Sequence, residues 1–187
     1  MSAQIKKNKP LLILIVGKSG SGKDYAVNVA ISYLKQYFED TREVRKIKSR
    51  TSRMPRYQGE DTHIFVSKTD ALIEKDKSLA FTEFDGNYYY ATVEDANNAM
   101  FYIIDKAGID YFNQTKYKDM FNILSVEIRC PALLRLIRMI RRDGFHKAVK
   151  RFIYDMKAFK GLKTDLVMNY KEAQRYLAIG ILGGLLP

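Results

Sequence analysis

One segment constrains this chain more than any other. Leu11-Leu-Ile-Leu-Ile-Val16 runs straight into Gly17-Lys-Ser-Gly-Ser-Gly22-Lys23-Asp24. Six consecutive apolar residues ending at a glycine read as a strand buried on both faces, the habit of parallel sheets. Beyond the glycine-rich turn, Ala26, Val27, Ala30, Leu34 and Tyr37 fall at helical spacing, which predicts a helix over Lys23 to Tyr37. A strand, a G-x-x-x-x-G-K turn and a helix in that order form a phosphate-binding loop. The glycines let backbone N–H groups converge, and with the helix N-terminus these groups hold phosphate oxygens. Gly17, Ser19, Gly20, Ser21, Gly22, Lys23 and Asp24 are therefore the candidate nucleotide-binding residues. The loop by itself indicates a nucleotide, with Lys23 on its β- and γ-phosphates. The residue after the lysine is usually a Ser or Thr that ligates Mg²⁺, and here it is Asp24. A carboxylate there reaches Mg²⁺ directly or through water, or else serves the helix N-terminus.

The rest of the chain alternates in the same way. Apolar runs at Met100 to Ile104 and Phe121 to Ile128 each precede a helical pattern, and Leu166-Val167-Met168 precedes a helix from Tyr170 to Ile179. Alternating strands and helices predict an α/β fold with a central parallel sheet flanked by helices. Two regions interrupt the alternation. Lys48 to Thr92 holds short strand-like pieces among Arg, Gly and Tyr, and Arg135 to Arg151 is a strongly basic helical stretch. Insertions of this kind carry substrate contacts and lids.

At 187 residues the chain is one domain's worth. Thirty-two Lys and Arg against 21 Asp and Glu give a net charge of +11, which predicts an anionic partner: nucleotide, nucleic acid or anionic lipid. One cysteine, Cys130, excludes an intramolecular disulfide framework, and two histidines, His63 and His146, argue against a multi-His metal site. The start is polar and basic, and no apolar run reaches the length of a secretory signal or a bilayer span. The apolar stretch Leu177 to Pro187 is short and holds three glycines, so it reads as a terminal segment packed on the core or on a partner subunit. The expectation is a cytoplasmic protein, monomer or homodimer, with no membrane partner.

Ser49-Arg-Thr-Ser-Arg53-Met-Pro-Arg56 with Gly59-Glu60, then Gly86-Asn87-Tyr88-Tyr89, then Phe101 to Gly108, Cys130-Pro131 with Arg138 and Arg142, and Thr164 to Asn169 follow one another in order. This ordered set resembles the guanylate kinases, over nearly the whole chain after residue 10. The resemblance implies a three-layer nucleoside monophosphate kinase fold with inserted NMP-binding and lid subdomains. The core would comprise about 11–40, 93–130 and 152–187, the NMP-binding insertion about 41–92 and the lid about 131–151. It implies Ser49, Arg53, Arg56, His63, Tyr89 and Asp105 as acceptor-binding residues, with His63 standing where the family has a phosphate-binding Tyr. Lys23, Arg138, Arg142 and Arg151 would be catalytic, with ATP as cofactor, and Asp24 would serve Mg²⁺. The pattern departs where the family reads its base. Ala80 stands at the usual carboxylate, Ala91 at a usual hydroxyl, and Tyr90 replaces the glycine between.

The chemistry suits these residue types. Phosphoryl transfer needs positioning and charge neutralisation on two phosphorylated substrates. Arg53 and Arg56, three apart around a Pro-containing turn, can clamp one phosphate with bidentate forks. Lid arginines can close over the transferring group and exclude water. The expected activity is transfer of the ATP γ-phosphate to a nucleoside monophosphate or its deoxy form, with guanosine acceptors first. Two alternatives stand beside it: a non-catalytic binding module with the same fold, motivated by Asp24, Ala80 and Ala91, and a nucleic-acid-associated protein, motivated by the charge. Stable nucleic-acid binding is not expected, because the basic residues cluster in the acceptor segment and lid.

Overall fold

The computed structural model describes residues 9–37 and 44–183. Its centre is a four-stranded parallel sheet built from β1 (Leu11–Val16), β6 (Phe101–Ile104), β7 (Asn122–Arg129) and β8 (Leu166–Asn169), in the order β6-β1-β7-β8. β1 lies between β6 and β7, with Leu14 opposite both Tyr102 and Ser125. That position explains its unbroken apolar sequence, since both faces and both edges are covered. Helices α1 (Lys23–Leu34), α4 (Lys106–Phe112) and α7 (Tyr170–Leu182) follow β1, β6 and β8 directly or after a turn. The expected α/β architecture is present.

Side-chain alternation along β1 divides the core into two layers. Ile13 and Ile15 pack with Val27, Ala30 and Leu34 of α1 and Leu177 and Ala178 of α7. Leu12, Leu14 and Val16 face the other way, onto Ile47, Leu79, Ala91, Ile109, Phe112 and Phe159. The C-terminal segment thus packs on the core as far as Ile181, and residues 184–187 lie outside the described part. No described helix is long and apolar enough to cross a membrane.

A second sheet comes entirely from residues 50–92. It comprises β2 (Arg50–Thr51), β3 (Ile64–Phe65), β4 (Ser78–Phe84) and β5 (Asn87–Thr92), in the order β3-β2-β5-β4. β4 and β5 form an antiparallel hairpin closed by Asp85 and Gly86, both at positive φ (52° and 70°). An Asp-Gly pair in that conformation is a type I′ turn, whose twist matches the flanking strands. Short helices α2 (Lys68–Ile73) and α3 (Val93–Ala96) border this sheet in sequence.

The basic stretch Arg135 to Arg151 is helical, as expected, and falls in two helices, α5 (Ala132–Asp143) and α6 (Phe145–Ala158), broken at Gly144. Gly144 has φ 81° and ψ 163°, a conformation that only glycine takes readily. α5 turns a face inward that includes a charged residue. Arg135 and Met139 are buried, whereas Leu133 is 70% exposed. The first helix stops at Leu34 rather than Tyr37.

Candidate active site

The carboxyl ends of β1 and β6 open onto one cleft of about 1230 Å³. Open α/β sheets place ligands at that end of their strands. The volume exceeds a usual single-ligand pocket of about 300–1,000 Å³, which leaves room for two substrates. Gly17, Ser19, Gly20, Gly22, Lys23 and Asp24 line it from the loop after β1, and Ser49, Arg53, Arg56, His63 and Tyr89 from the second sheet and its loops. Asp105 lines it from the end of β6, and Arg138, Arg142 and Arg151 from α5 and α6. Ser21 is the exception among the sequence-predicted residues. Its side chain is fully buried beneath the loop and its N–H donates to the Lys18 carbonyl at 3.1 Å, so it contributes shape rather than a ligand contact.

The loop has the backbone of an anion site. Gly22 caps α1 in the left-handed conformation with no side-chain cap, leaving the first N–H groups of a twelve-residue helix free for a ligand. Gly20 sits at φ 76°, and a Cβ there would lie 2.8 Å from the Arg135 carbonyl oxygen of α5. The glycine pattern therefore serves both chain reversal and the close approach of α5. Lys23 extends into the loop, donating from Nζ to the Gly17 carbonyl at 2.5 Å and the Lys18 carbonyl at 3.3 Å. Burial lowers its pKa to about 8, against the opposing pull of Asp24, Asp155 and Asp105. A desolvated ammonium waiting in a loop of inward amides gains strongly from a polyphosphate.

A buried counter-ion occupies part of this site. Asp155 of α6 is fully buried, and its Oδ2 accepts from the Ser19 N–H at 2.6 Å. Arg151 lies 3.2 Å from the other carboxylate oxygen and donates to Ser19 Oγ at 2.9 Å. Arg135, 3% exposed, donates to the Ser19 carbonyl at 3.0 Å and lies 3.7 Å from Asp155. Arg138 donates to the Gly20 carbonyl at 3.1 Å. Both helices thus hold the loop through arginines, and one carboxylate stands on a loop amide that a phosphate oxygen could take.

The acceptor segment is organised around Glu60, whose side chain is 1% exposed. Arg53 grips it with two prongs at 2.9 and 2.6 Å, Thr62 Oγ1 donates at 2.6 Å and the Arg56 N–H at 2.7 Å. The Arg53 fork holds the Glu60 carboxyl far below the usual carboxylate range. The guanidiniums are thereby pre-positioned, and Arg53 Nε is buried without a partner among the described residues. His63 stands beside them, its pKa lowered by burial and then by Arg53, with Nδ1 buried and unpaired. Its ring meets Tyr89 edge-on at 6.2 Å.

Asp105 caps α4, accepting from the Gly108 N–H at 2.7 Å, and also faces the cleft. Burial raises its pKa, while that hydrogen bond, Arg151 and Lys23 act against the rise. Asp24 is largely exposed and pairs with Lys46 at 3.0 Å. Among the described residues no group of three His, Cys, Asp or Glu could hold a metal ion. Mg²⁺ that arrives on phosphates needs only one or two carboxylates and keeps its waters, and Asp24 beside Lys23 suits that role.

The two lobes meet across the cleft mouth. Lys150 of α6 pairs with Asp85 at the hairpin tip at 2.6 Å, and the Arg151 guanidinium lies 3.8 Å from the Phe84 ring centroid. Arg56 Nε lies 3.4 Å from Asp143, which also receives Arg142. Arg135, Asp155 and the organising role of Glu60 escape sequence reasoning. A charged residue on an amphipathic helix carries no local sign that it will be buried.

No protein-family model matches the sequence, and no curated protein matches it. Among solved structures, the crystal structure of guanylate kinase from Anaplasma phagocytophilum is similar over 97% of this chain and 89% of its own, with a TM-score of 0.57 at 16% identity. The crystal structure of APE1195 is similar over 95% of this chain and 98% of its own, with a TM-score of 0.51 at 14% identity. The chain has a guanylate-kinase-like fold.

Proposed function

We propose that this protein is an ATP-dependent nucleoside monophosphate kinase. It transfers the γ-phosphate of Mg-ATP to a nucleoside monophosphate or its deoxy form, with GMP and dGMP the first acceptors to test. One observation carries this assignment: a phosphate loop with its lysine and five arginines of two separate lobes line a single cleft. A nucleic-acid binder would need its positive charge along an open groove or stripe.

In this assignment residues 41–92 form the acceptor insertion and 131–151 the lid. The loop amides and Lys23 hold the donor phosphates; Mg²⁺ arriving on them would be met by Asp24 and would neutralise phosphate charge. Arg53 and Arg56, held by Glu60, take the acceptor phosphate together with His63 and Tyr89. Ser49 and Asp105 contact the acceptor nucleoside. Arg138, Arg142 and Arg151 meet the negative charge spread over the transferring group. No general base is needed, because the attacking group is already a phosphate oxygen. Closure across the mouth excludes water, which would otherwise hydrolyse ATP.

A coupled ADP-release assay with Mg-ATP over all ribo- and deoxynucleoside monophosphates tests the activity. Turnover with one or a few acceptors is expected, and silence across the panel overturns it. Silence with ATP still bound would favour a binding module without turnover, which the Asp155 contact on Ser19 makes the second reading. Arg53→Ala should raise the acceptor KM at least tenfold and also lower kcat, because a phosphate clamp acts in ground and transition states alike. Unchanged kinetics would remove Arg53 from the site.

A further inference from the structure

The acceptor side of the cleft lacks a charged reader on β4 and β5. Ala80 lines the cleft there, with Ala91 as its cross-strand partner; they are 2% and 0% exposed, and neither offers a hydrogen bond from its side chain. Tyr90, between them and the hairpin turn, is 1% exposed and has committed its hydroxyl to Glu74 at 2.6 Å. Glu74 is itself held by Arg50 at 3.1 Å, so this phenol belongs to a closed network.

A different phenol enters the same place. Tyr102 of β6 packs in one cluster with Leu79, Ala80 and Ala91 and lines the cleft. It is 3% exposed, yet its hydroxyl has no hydrogen-bond partner among the described residues. The hydroxyl stands open to the cleft, able to pair with a group that a ligand brings. The small side chains of Ala80 and Ala91, in the second sheet, leave the volume that a tyrosine on the central sheet needs.

We propose that Tyr102 is the base-reading residue of the acceptor pocket, its hydroxyl hydrogen-bonding a carbonyl oxygen or ring nitrogen of the bound base. This rests on the kinase assignment above for the identity of the ligand, a nucleoside monophosphate. The phenol stays protonated, since burial and then the charges of Asp105 and Asp95 push its ionisation well above neutral pH. It can therefore donate to an acceptor atom on the base edge, which an ionised carboxylate cannot do. A carboxylate reader would select the opposite, an edge of N–H groups. The exchange of a carboxylate for a phenol changes the base edge that is read, while the phosphate clamp is left alone.

Tyr102→Phe removes one oxygen and keeps the ring. The variant and the unaltered protein are compared on the full monophosphate panel by steady-state kinetics and, separately, by calorimetric binding of each monophosphate. Expected is a roughly ten- to hundredfold loss of kcat/KM and of affinity for the preferred base, carried mainly by KM. Disfavoured bases should change little, so discrimination collapses, while the Kd for ATP stays the same. An unchanged profile overturns the assignment, and so does an equal loss on every base with a lowered melting temperature, which would mark a packing role. The two levels separate cleanly. Base-dependent binding that Tyr102→Phe abolishes, without turnover in either protein, refutes the kinase and keeps the reader. Turnover that the variant leaves intact refutes the reader and keeps the kinase. Absence of monophosphate binding in the unaltered protein refutes both.

Discussion

Lys23→Ala lowers turnover on the order of a thousandfold while leaving the melting temperature unchanged or slightly raised. The two halves of this expectation come from the same geometry. Lys23 donates only to carbonyls of its own loop, and burial already disfavours its charge. Removing it therefore relieves a desolvation cost in the free protein and loses little packing. Its gain appears only when phosphate charge enters the loop and grows toward the leaving oxygen. Donor affinity should follow its ionisation. Below a pKa of about 8 the ammonium is present, and affinity for triphosphate falls as pH rises through that value. Because bound phosphate favours the charged form, binding near pH 8–9 should take up a proton. Calorimetry in buffers of different ionisation enthalpy would read that uptake directly, and Lys23→Ala should abolish it. A variant that keeps most of its turnover would remove the loop from the donor site.

What the sequence made legible was what is encoded locally. β1, the loop and α1 are contiguous, and their glycines, apolar run and helical spacing lie within 24 residues. Strands β6, β7 and β8 announced themselves as apolar runs for the same reason. The pairing of the second sheet was hidden because β2 and β3 are two residues each and exist only through partners 14 or more residues away. The site divides along the same line. Arginines that face anions were visible as residue types in loops and helices. The carboxylates that hold those arginines in the free protein were not. Glu60 looks like a loop charge, and Asp155 looks like one more exposed residue of a basic helix. Tyr102 sits inside an apolar run, where a tyrosine reads as core. Its hydroxyl becomes informative only once the cleft around it is seen.

Asp155→Asn should make the free protein less stable and bind the donor more tightly. Its carboxylate is fully buried between Arg135 and Arg151 and accepts from the Ser19 amide. Taking the charge away leaves the buried Arg135 without its counter-ion. Removing one partner of such a pair costs about 3 kcal/mol or more, on the order of 10 °C in a domain of this size. The same charge stands where an incoming phosphate must place its own. A carboxylate and a phosphate cannot share the Ser19 N–H, so the donor has to displace Asp155 or bind against its repulsion. Asparagine keeps an oxygen for the amide and drops the repulsion. The melting temperature without ligand should fall, and the rise produced by saturating Mg-ATP should be larger than in the unaltered protein. The two effects have opposite sign and one cause, the placing of an anion on a phosphate site to hold the arginines until the phosphate arrives. A ligand-induced rise equal to or smaller than that of the unaltered protein would show that Asp155 instead supports donor binding by orienting Arg151.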